Sequence, residues 1–241
     1  MCDSFIISLS GETSEIESRF FPPIELSSDK NYVLGLVELL TFNSIPNIDE
    51  DNNQFNIFNT EKLEENKIVY SDSEAITLPT GSYEIEDIES YLIKHLKEKS
   101  LSIKANNNTL KSIIKCDTTI DFRPANSIGR LLGFTPQILQ ANKKHTSNLP
   151  VSILKINALR VECNITSGAY TNGKRSHMIH EFFPVVPPGY KIIEIPSQVI
   201  YLPVTVKSID HLQLRIVDQK GDLVNFRGET ITIRLHIKEV K

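Results

Sequence analysis

A strict alternation of apolar and polar residues near the end of the chain constrains its fold most strongly. Side chains of a β-strand point alternately to opposite faces, so this pattern buries one face and leaves the other in water. The closing sequence LRIVDQKGDLVNFRGETITIRLHIKEVK therefore predicts two regular strands, joined as a final hairpin that completes a β-sandwich. The apolar positions of the last strand are Ile231, Ile233, Leu235 and Ile237.

Strand-like runs are dense from Pro150 onward and recur at regular spacing. Between them, GAYTNGK predicts a turn-rich loop, and Pro188-Gly189 has the chemistry of a type II turn. Earlier in the chain, residues 4–10 predict a short strand. NYVLGLVELLTF, residues 31–42, predicts a buried strand, with a helix as the alternative that its periodicity leaves open. This distribution favours an all-β sandwich or barrel. The runs after Pro150 are SILKINALRVECNIT, SHMIHEFFPVV, YKIIEI, VIYLPVTV and HLQLRIVD.

One segment, TGSYEIEDIESYLIKHLKEKS, predicts an amphipathic helix on the surface. Its acidic residues precede its lysines, an order that complements the helix dipole. The apolar stripe consists of Ile85, Ile88, Leu92, Ile93 and Leu96.

Two further segments predict local structure after this helix. LSIKANNNTLKSIIKC predicts two strand-like arms around an asparagine turn. IDFRPANSIGRLLGF predicts one or two helical turns, with Asn126 or Ser127 as the N-cap and Gly133 as a left-handed stop.

Composition excludes several classes of protein. The chain of 241 residues is 40% hydrophobic and 23% charged, as expected of a soluble protein with a real core. A net charge of −4 does not indicate a nucleic-acid binder. The N-terminus lacks the features of a signal peptide, and no window is long enough to span a bilayer, so synthesis in the cytosol is expected. Cys2, Cys116 and Cys163 are too few for a disulfide framework, which predicts reduced cysteines.

Acidic residues are concentrated between Asp49 and Glu74, where eight carboxylates accompany two lysines. We interpret this segment as a solvated loop, with a dedicated cation or partner site as the alternative.

No catalytic, cofactor-binding or metal-binding residue is predicted, and no cofactor is expected. His177, His180 and Glu181 are the strongest candidates for a metal site. Residues three apart on a strand point to different faces, which argues against chelation by the two histidines. His177 and Glu181 share a face but form an incomplete set of ligands. The chain contains no nucleophile elbow, phosphate loop or dinucleotide fingerprint, so nothing supports an enzyme.

Three arginines near the C-terminus, Arg215, Arg227 and Arg234, could form a basic face after folding. The alternative, which we favour, is that they are outward charges that discourage edge pairing of strands.

Several segments of this sequence, in their order along the chain, resemble segments of the minor capsid, or penton, proteins of Polinton/Maverick elements and the related adintoviruses. The resemblance covers most of the chain and is carried by FPPIEL, LGLVELLTFNSIPNI, LPTGSYEIEDIESYL, IDFRPANSIGRLLGF, IPSQVIYLPV and DQKGDLVNFRGETITIRLHI.

This resemblance implies a single jelly roll over residues 1–241, with a helical and hairpin insertion at about 82–134, comprising the amphipathic helix and a short second helix. It implies a structural protein, not an enzyme, that forms homopentamers at the five-fold vertices of an icosahedral capsid. The implied partners are other copies of the chain and a larger double jelly-roll major capsid protein, with no membrane or nucleic acid. The implied location is the virion, after synthesis in the host cytoplasm and with the nucleus as one site of assembly.

We place the contact surfaces only coarsely. FFPPIEL and the acidic segment from Asp49 to Glu74 are expected on the subunit flank or top, and TSGAYTNGKRS is expected at an exposed end that could meet a receptor or fibre. Two other functions stay open: a non-viral jelly-roll module that binds carbohydrate or protein, and a cupin-like metalloenzyme. The first needs exposed aromatic residues, although the chain has no Trp. The second needs clustered histidines.

Overall fold

A computed structural model of the chain describes residues 4–64, 67–96 and 99–240. Within these ranges it describes the side chains of all residues except 59–72. The described residues form two compact units: Met1–Ile45 with Ile156–Lys241, and Pro46–Lys155. The segment of about 82–134 that we interpreted as an insertion lies within the second unit. The prediction of one domain over 1–241 stays a prediction.

The described residues form 18 strands, one α-helix and one 3-10 helix. The helices are α1 (Ile85–His95) and the 3-10 helix Ile128–Arg130. Strands β4 to β10 belong to the second unit, and the other strands belong to the first. In chain order the strands are β1 (Ser4–Gly11), β2 (Glu15–Glu25), β3 (Tyr32–Phe42), β4 (Gln54–Glu64), β5 (Lys67–Thr77), β6 (Leu101–Asn106), β7 (Lys111–Cys116), β8 (Thr119–Asp121), β9 (Ile138–Leu139), β10 (Lys144–Thr146), β11 (Leu159–Cys163), β12 (Ala169–Thr171), β13 (Lys174–Ser176), β14 (Met178–Phe182), β15 (Lys191–Glu194), β16 (Leu202–Pro203), β17 (Ser208–Val217) and β18 (Ile231–Glu239).

The first unit is a jelly-roll sandwich. One sheet has the order β1-β18-β3-β15, with the two-residue β16 also paired to β3, and the other has the order β14-β11-β17-β2. All of these pairs are antiparallel. The chain passes repeatedly from one sheet to the other, which is the connectivity of a jelly roll. The predicted fold class, an all-β jelly roll with an amphipathic helix and a short second helix, is confirmed.

The core between the two sheets is built from alternating positions of their strands. Ile231, Ile233, Leu235 and Ile237 of β18 are all fully buried, as their alternation predicts. Leu212, Leu214 and Ile216 of β17 are equally buried in the same hydrophobic cluster. Burial of a large aliphatic side chain contributes about 1.5–3 kcal/mol, so these central strands carry much of the stability of the unit.

The predicted final hairpin is wrong. β17 pairs with β11 and β2, whereas β18 pairs with β1 and β3, so the last two long strands lie in different sheets. Each occupies an interior position in its own sheet and so has neighbours on both edges. The connection between them crosses the sandwich and buries Val224 and Phe226 in the core.

The second unit contains the predicted helix and two small sheets, with orders β5-β4-β8-β9 and β10-β7-β6. Helix α1 buries Ile85, Ile88 and Leu92 in the core of this unit, which confirms the amphipathic prediction. Ile93, which we placed in the apolar stripe, is instead 43% exposed. Asp87 caps its start by accepting a hydrogen bond from the Glu84 amide at 3.0 Å.

The predicted short second helix is the 3-10 helix Ile128–Arg130. The Ser127 hydroxyl accepts a hydrogen bond from the Gly129 amide at 3.2 Å and forms the N-cap. Gly133 adopts a left-handed φ of 82° after the turn, as predicted for the stop position.

The acidic segment from Asp49 to Glu74 is not a loop, contrary to our interpretation. Most of it belongs to the antiparallel strands β4 and β5. Phe55 and Ile57 on β4 are buried, and these apolar residues draw the strand into the core of the second unit. The side chains of 59–72, which include much of the acidic cluster, lie outside the described residues.

Candidate assembly surface

The three candidate metal ligands are engaged by different partners. The His177 ring donates a hydrogen bond from Nδ1 to the Thr166 carbonyl at 2.8 Å. His180 on β14 contacts Glu194 on β15, with 2.8 Å between Nε2 and Oε1. Glu181 forms an ion pair with Arg160 on the neighbouring strand β11. His180 and Glu181 are consecutive residues of β14 and so point to different faces, and His177 lies just before the strand with a partner of its own.

No group of three or more His, Cys, Asp or Glu residues that could hold a metal ion occurs within 4–64, 67–96 and 99–240. In the same part of the chain, no helix has the length and apolar character needed to cross a membrane.

The three C-terminal arginines do not form a common face. Arg215 on β17 pairs with Glu162 at 2.9 Å, and Arg234 on β18 pairs with Glu38 at 2.8 Å, so the two lie on different sheets. Arg227 lies in the connection between β17 and β18, where it is exposed and adopts a φ of 57°. Arg215 and Arg234 are therefore outward charges matched by cross-strand carboxylates. They do not protect a strand edge, contrary to our interpretation, because β17 and β18 are interior strands.

The two sheets end in two flanks. On one flank the edge strands β1 and β2 lie next to each other, and on the other flank the edge strands are β14 and β15. His180 and Glu194 connect β14 to β15 across this second flank. A jelly roll offers its neighbours these flanks, its two outer faces and the loops at its ends.

Large apolar side chains are exposed around the β14–β15 flank. The segment of residues 183–200 contains only two charged residues, Lys191 and Glu194. Phe42 on β3 is the ladder partner of Lys191 and is also exposed. We name this set the apolar flank, and it consists of Phe42, Phe183, Val185, Tyr190, Ile193 and Ile195, which are 43–84% exposed.

The opposite flank presents fewer apolar residues and more acidic ones. FFPPIEL lies largely in the edge strand β2, where Phe21 is 100% exposed. Edge strands tolerate Pro22 and Pro23, because the missing amide donors can face outward. Ile6 on β1 is also exposed, at 62%. We name Ile6, Phe21 and the exposed glutamates of β2 the acidic flank.

The segment TSGAYTNGKRS, predicted as a turn-rich end, forms the hairpin β12–β13. Asn172 and Gly173 at its tip have φ values of 50° and 77°. Positive φ at both central positions is the geometry of a type I′ turn, which Asn-Gly favours. Tyr170 is exposed at 62% on this hairpin, and Lys174 and Arg175 are exposed on its second strand.

Comparison with known proteins is informative at the level of structure and not of sequence. No protein-family model matches the sequence, and no curated protein matches it. Among solved structures, the crystal structure of the selenomethionine-labelled mavirus penton protein matches 98% of this chain and 99% of its own. The TM-score is 0.51 and the sequence identity is 10%. This chain shares its fold with the mavirus penton protein.

The match confirms the resemblance to penton proteins at the level of the fold. Sequence reasoning did not identify the apolar flank. The sequence feature that could have indicated this flank is the small number of charged residues in 183–200. However, an apolar run of strand-like segments indicates a buried core as readily as an exposed edge.

Proposed function

We propose that this chain is a minor capsid, or penton, protein that forms homopentamers at the five-fold vertices of an icosahedral capsid. In this role it stands beside a double jelly-roll major capsid protein, in the virion of a virus or of an element of the Polinton/Maverick or adintovirus type. Assembly follows synthesis in the host cytoplasm, there or in the nucleus.

The observation that carries the proposal is the end-to-end correspondence with the mavirus penton protein. A jelly roll alone is shared by many unrelated proteins and supports no particular function. Here the match extends over 98% of this chain and 99% of the other, and so includes both compact units and not only the sandwich.

The surface of the first unit is consistent with a role in assembly. A closed ring of identical subunits requires a contact between two different patches of each subunit. The apolar flank and the acidic flank are two such patches on opposite edges of one sandwich. Two of the candidate metal ligands instead form contacts within the protein. His180 is hydrogen-bonded to Glu194, and Glu181 forms an ion pair with Arg160.

Co-assembly with the major capsid protein tests the proposal. The chain is expressed with the double jelly-roll major protein of the same element, and purified particles are imaged by electron microscopy. We expect this chain at the five-fold vertices only, and particles made without it to have open vertices. Closed particles with complete vertices in its absence would contradict the proposal.

A further inference from the structure

The apolar flank exposes large side chains from both sheets of the sandwich. Phe42 and Ile193 lie on the outer side of the sheet that contains β3 and β15, because Ile192 beside Ile193 faces the core. Phe183 follows the buried Phe182 and lies on the outer side of the other sheet. Large apolar side chains exposed in this way are typical of protein–protein contacts.

Both strands of this flank have an open edge within the described residues. β14 pairs only with β11, and β15 pairs only with β3. Exposed apolar edge strands cause uncontrolled association unless charges, prolines or a partner protect them. Across 183–200 only Lys191 and Glu194 are charged, and Glu194 is already bonded to His180. Pro184, Pro187, Pro188 and Pro196 protect the connections next to these strands, whereas β14 and β15 themselves contain no proline, so a specific partner would supply the protection that the strand edges lack.

Charge identifies the surface of a neighbour that fits. Around the apolar flank, Lys174, Arg175 and Lys191 are exposed and form no ion pair within the described part of the chain, whereas Glu181 and Glu194 are paired with Arg160 and His180. The opposite edge strand β2 carries exposed glutamates and Arg19 as its one basic residue. These glutamates are Glu15, Glu17 and Glu25, with Glu12 just before the strand. Glu15 and Glu17 also contact Arg215, His211 and Gln213 on β17, and Glu25 accepts a hydrogen bond from Ser208, but all of them stay exposed.

We propose that the apolar flank of one copy packs against the acidic flank of a second copy, head to tail around the ring. This inference rests on the proposed pentamer and assigns its contact. If two apolar flanks faced each other, Lys174, Arg175 and Lys191 of one copy would lie close to the same three residues of the other copy, and like charges would repel. The head-to-tail contact instead brings these cations close to the glutamates of the neighbouring copy. Phe21 and Ile6 provide the apolar counterpart on the receiving flank.

The contact consists of side-chain packing and not of a shared sheet. Pro22 and Pro23 on β2 lack amide hydrogens, so this part of the edge cannot pair fully with a strand of the neighbour. Phe21, beside the prolines and fully exposed, is the anchor that the apolar flank receives.

Cross-linking through introduced cysteines tests this assignment. In a C2S background, Phe21→Cys and Ile193→Cys are introduced singly and together, and each protein is treated with a short thiol-specific cross-linker. Cys116 and Cys163 are buried and do not interfere. We expect the double variant to give a ladder up to five copies on a denaturing gel. Each single variant is expected to stay at one copy.

Substitutions at the flank provide the second measurement. Ile193→Glu is expected to convert the assembly to monomers, because it places a charge in the apolar contact. Leu110→Glu is the matched control, since Leu110 is exposed at 63% in the connection between β6 and β7 of the second unit and belongs to neither flank. Circular dichroism verifies that both variants are folded.

The outcomes separate this inference from the proposed function. A wild-type pentamer whose double variant gives no ladder, or whose single variants form dimers, would overturn the head-to-tail contact and leave the pentamer standing. A wild-type pentamer that survives Ile193→Glu would also overturn it. A wild-type protein that stays at one copy in every assay would contradict the proposed function and the contact together.

Discussion

His180 on β14 and Glu194 on β15 join the edge strands of the two sheets, with 2.8 Å between Nε2 and Oε1. The side chains are only 16% and 24% exposed, so water competes weakly for this hydrogen bond. The ring of His180 also stacks on Phe182 of the core. The pair therefore holds the sandwich closed at the flank from which we expect assembly.

Removal of this pair is expected to destabilise the fold. Glu194→Ala and His180→Ala should each lower the free energy of unfolding by about 1 kcal/mol, since each deletes a partly buried hydrogen bond. The two effects should be less than additive in the double variant, as measured by urea denaturation. Glu181→Gln is the control, because the Glu181 carboxylate is 43% exposed and its ion pair with Arg160 contributes at most about 0.5 kcal/mol. Full additivity would show that the pair does not act as a unit.

Gly133 is expected to tolerate no side chain. Its φ is 82°, and a Cβ atom would lie 2.3 Å from the Leu149 carbonyl oxygen, which belongs to the backbone and cannot move aside. Gly133→Ala should cost more than about 3 kcal/mol, or prevent folding of the second unit. Gly221→Ala has a similar φ of 96° but nothing within 4 Å, and should cost only about 1 kcal/mol. Equal losses in thermal or urea unfolding would contradict this steric account.

The stability of the sandwich is expected to fall at alkaline pH because of Cys163. Burial raises the pKa of this thiol from 9.0 to about 11. Between these values the unfolded chain loses the thiol proton while the folded chain keeps it, so stability is complete below pH 9 and declines as the pH rises toward 11. The loss from this group should reach about 2 kcal/mol. Urea denaturation at several pH values should show a shallower decline for Cys163→Ala, and identical declines would contradict the assignment.

Metal binding is expected to be substoichiometric. The three best candidate ligands, His177, His180 and Glu181, contact Thr166, Glu194 and Arg160, and not one another. Elemental analysis of protein purified without chelator, and again after incubation with Zn²⁺ and dialysis, measures this directly. One tightly held ion per chain would instead favour the cupin-like metalloenzyme.

Local structure in this chain is largely encoded in short patterns. α1 matches its predicted segment because a 3.6-residue apolar stripe determines a helix. The continuous apolar run of residues 31–42 suits a strand or a helix, and its β-branched and aromatic residues favoured the strand that the structure shows as β3. The stop at Gly133 was predicted for a similar reason, since a left-handed residue at the end of a turn favours glycine.

Pairing between distant strands could not be predicted in the same way. The alternation in β17 and β18 shows which face of each strand is buried, but it carries no information about the neighbouring strand. A hairpin is the simplest pairing of consecutive strands, and the jelly roll instead places these two in opposite sheets. The acidic segment from Asp49 to Glu74 was misjudged because its many charges concealed the buried Phe55 and Ile57.

Only part of the candidate assembly surface could be predicted from the sequence. FFPPIEL was expected at a flank or the top because consecutive prolines fit poorly in a paired strand, and it lies largely in the edge strand β2. The apolar flank was missed because exposure depends on tertiary structure, and Ile193 on its own is indistinguishable from the buried Ile192 beside it.

The mass of the purified protein in solution tests the central claim most directly. Light scattering coupled to size exclusion, with negative-stain imaging of the peak, should give five copies of the 27.3 kDa chain, about 137 kDa, as five-fold rings. A dimer or a tetramer that persists across a wide range of protein concentrations would contradict the penton account.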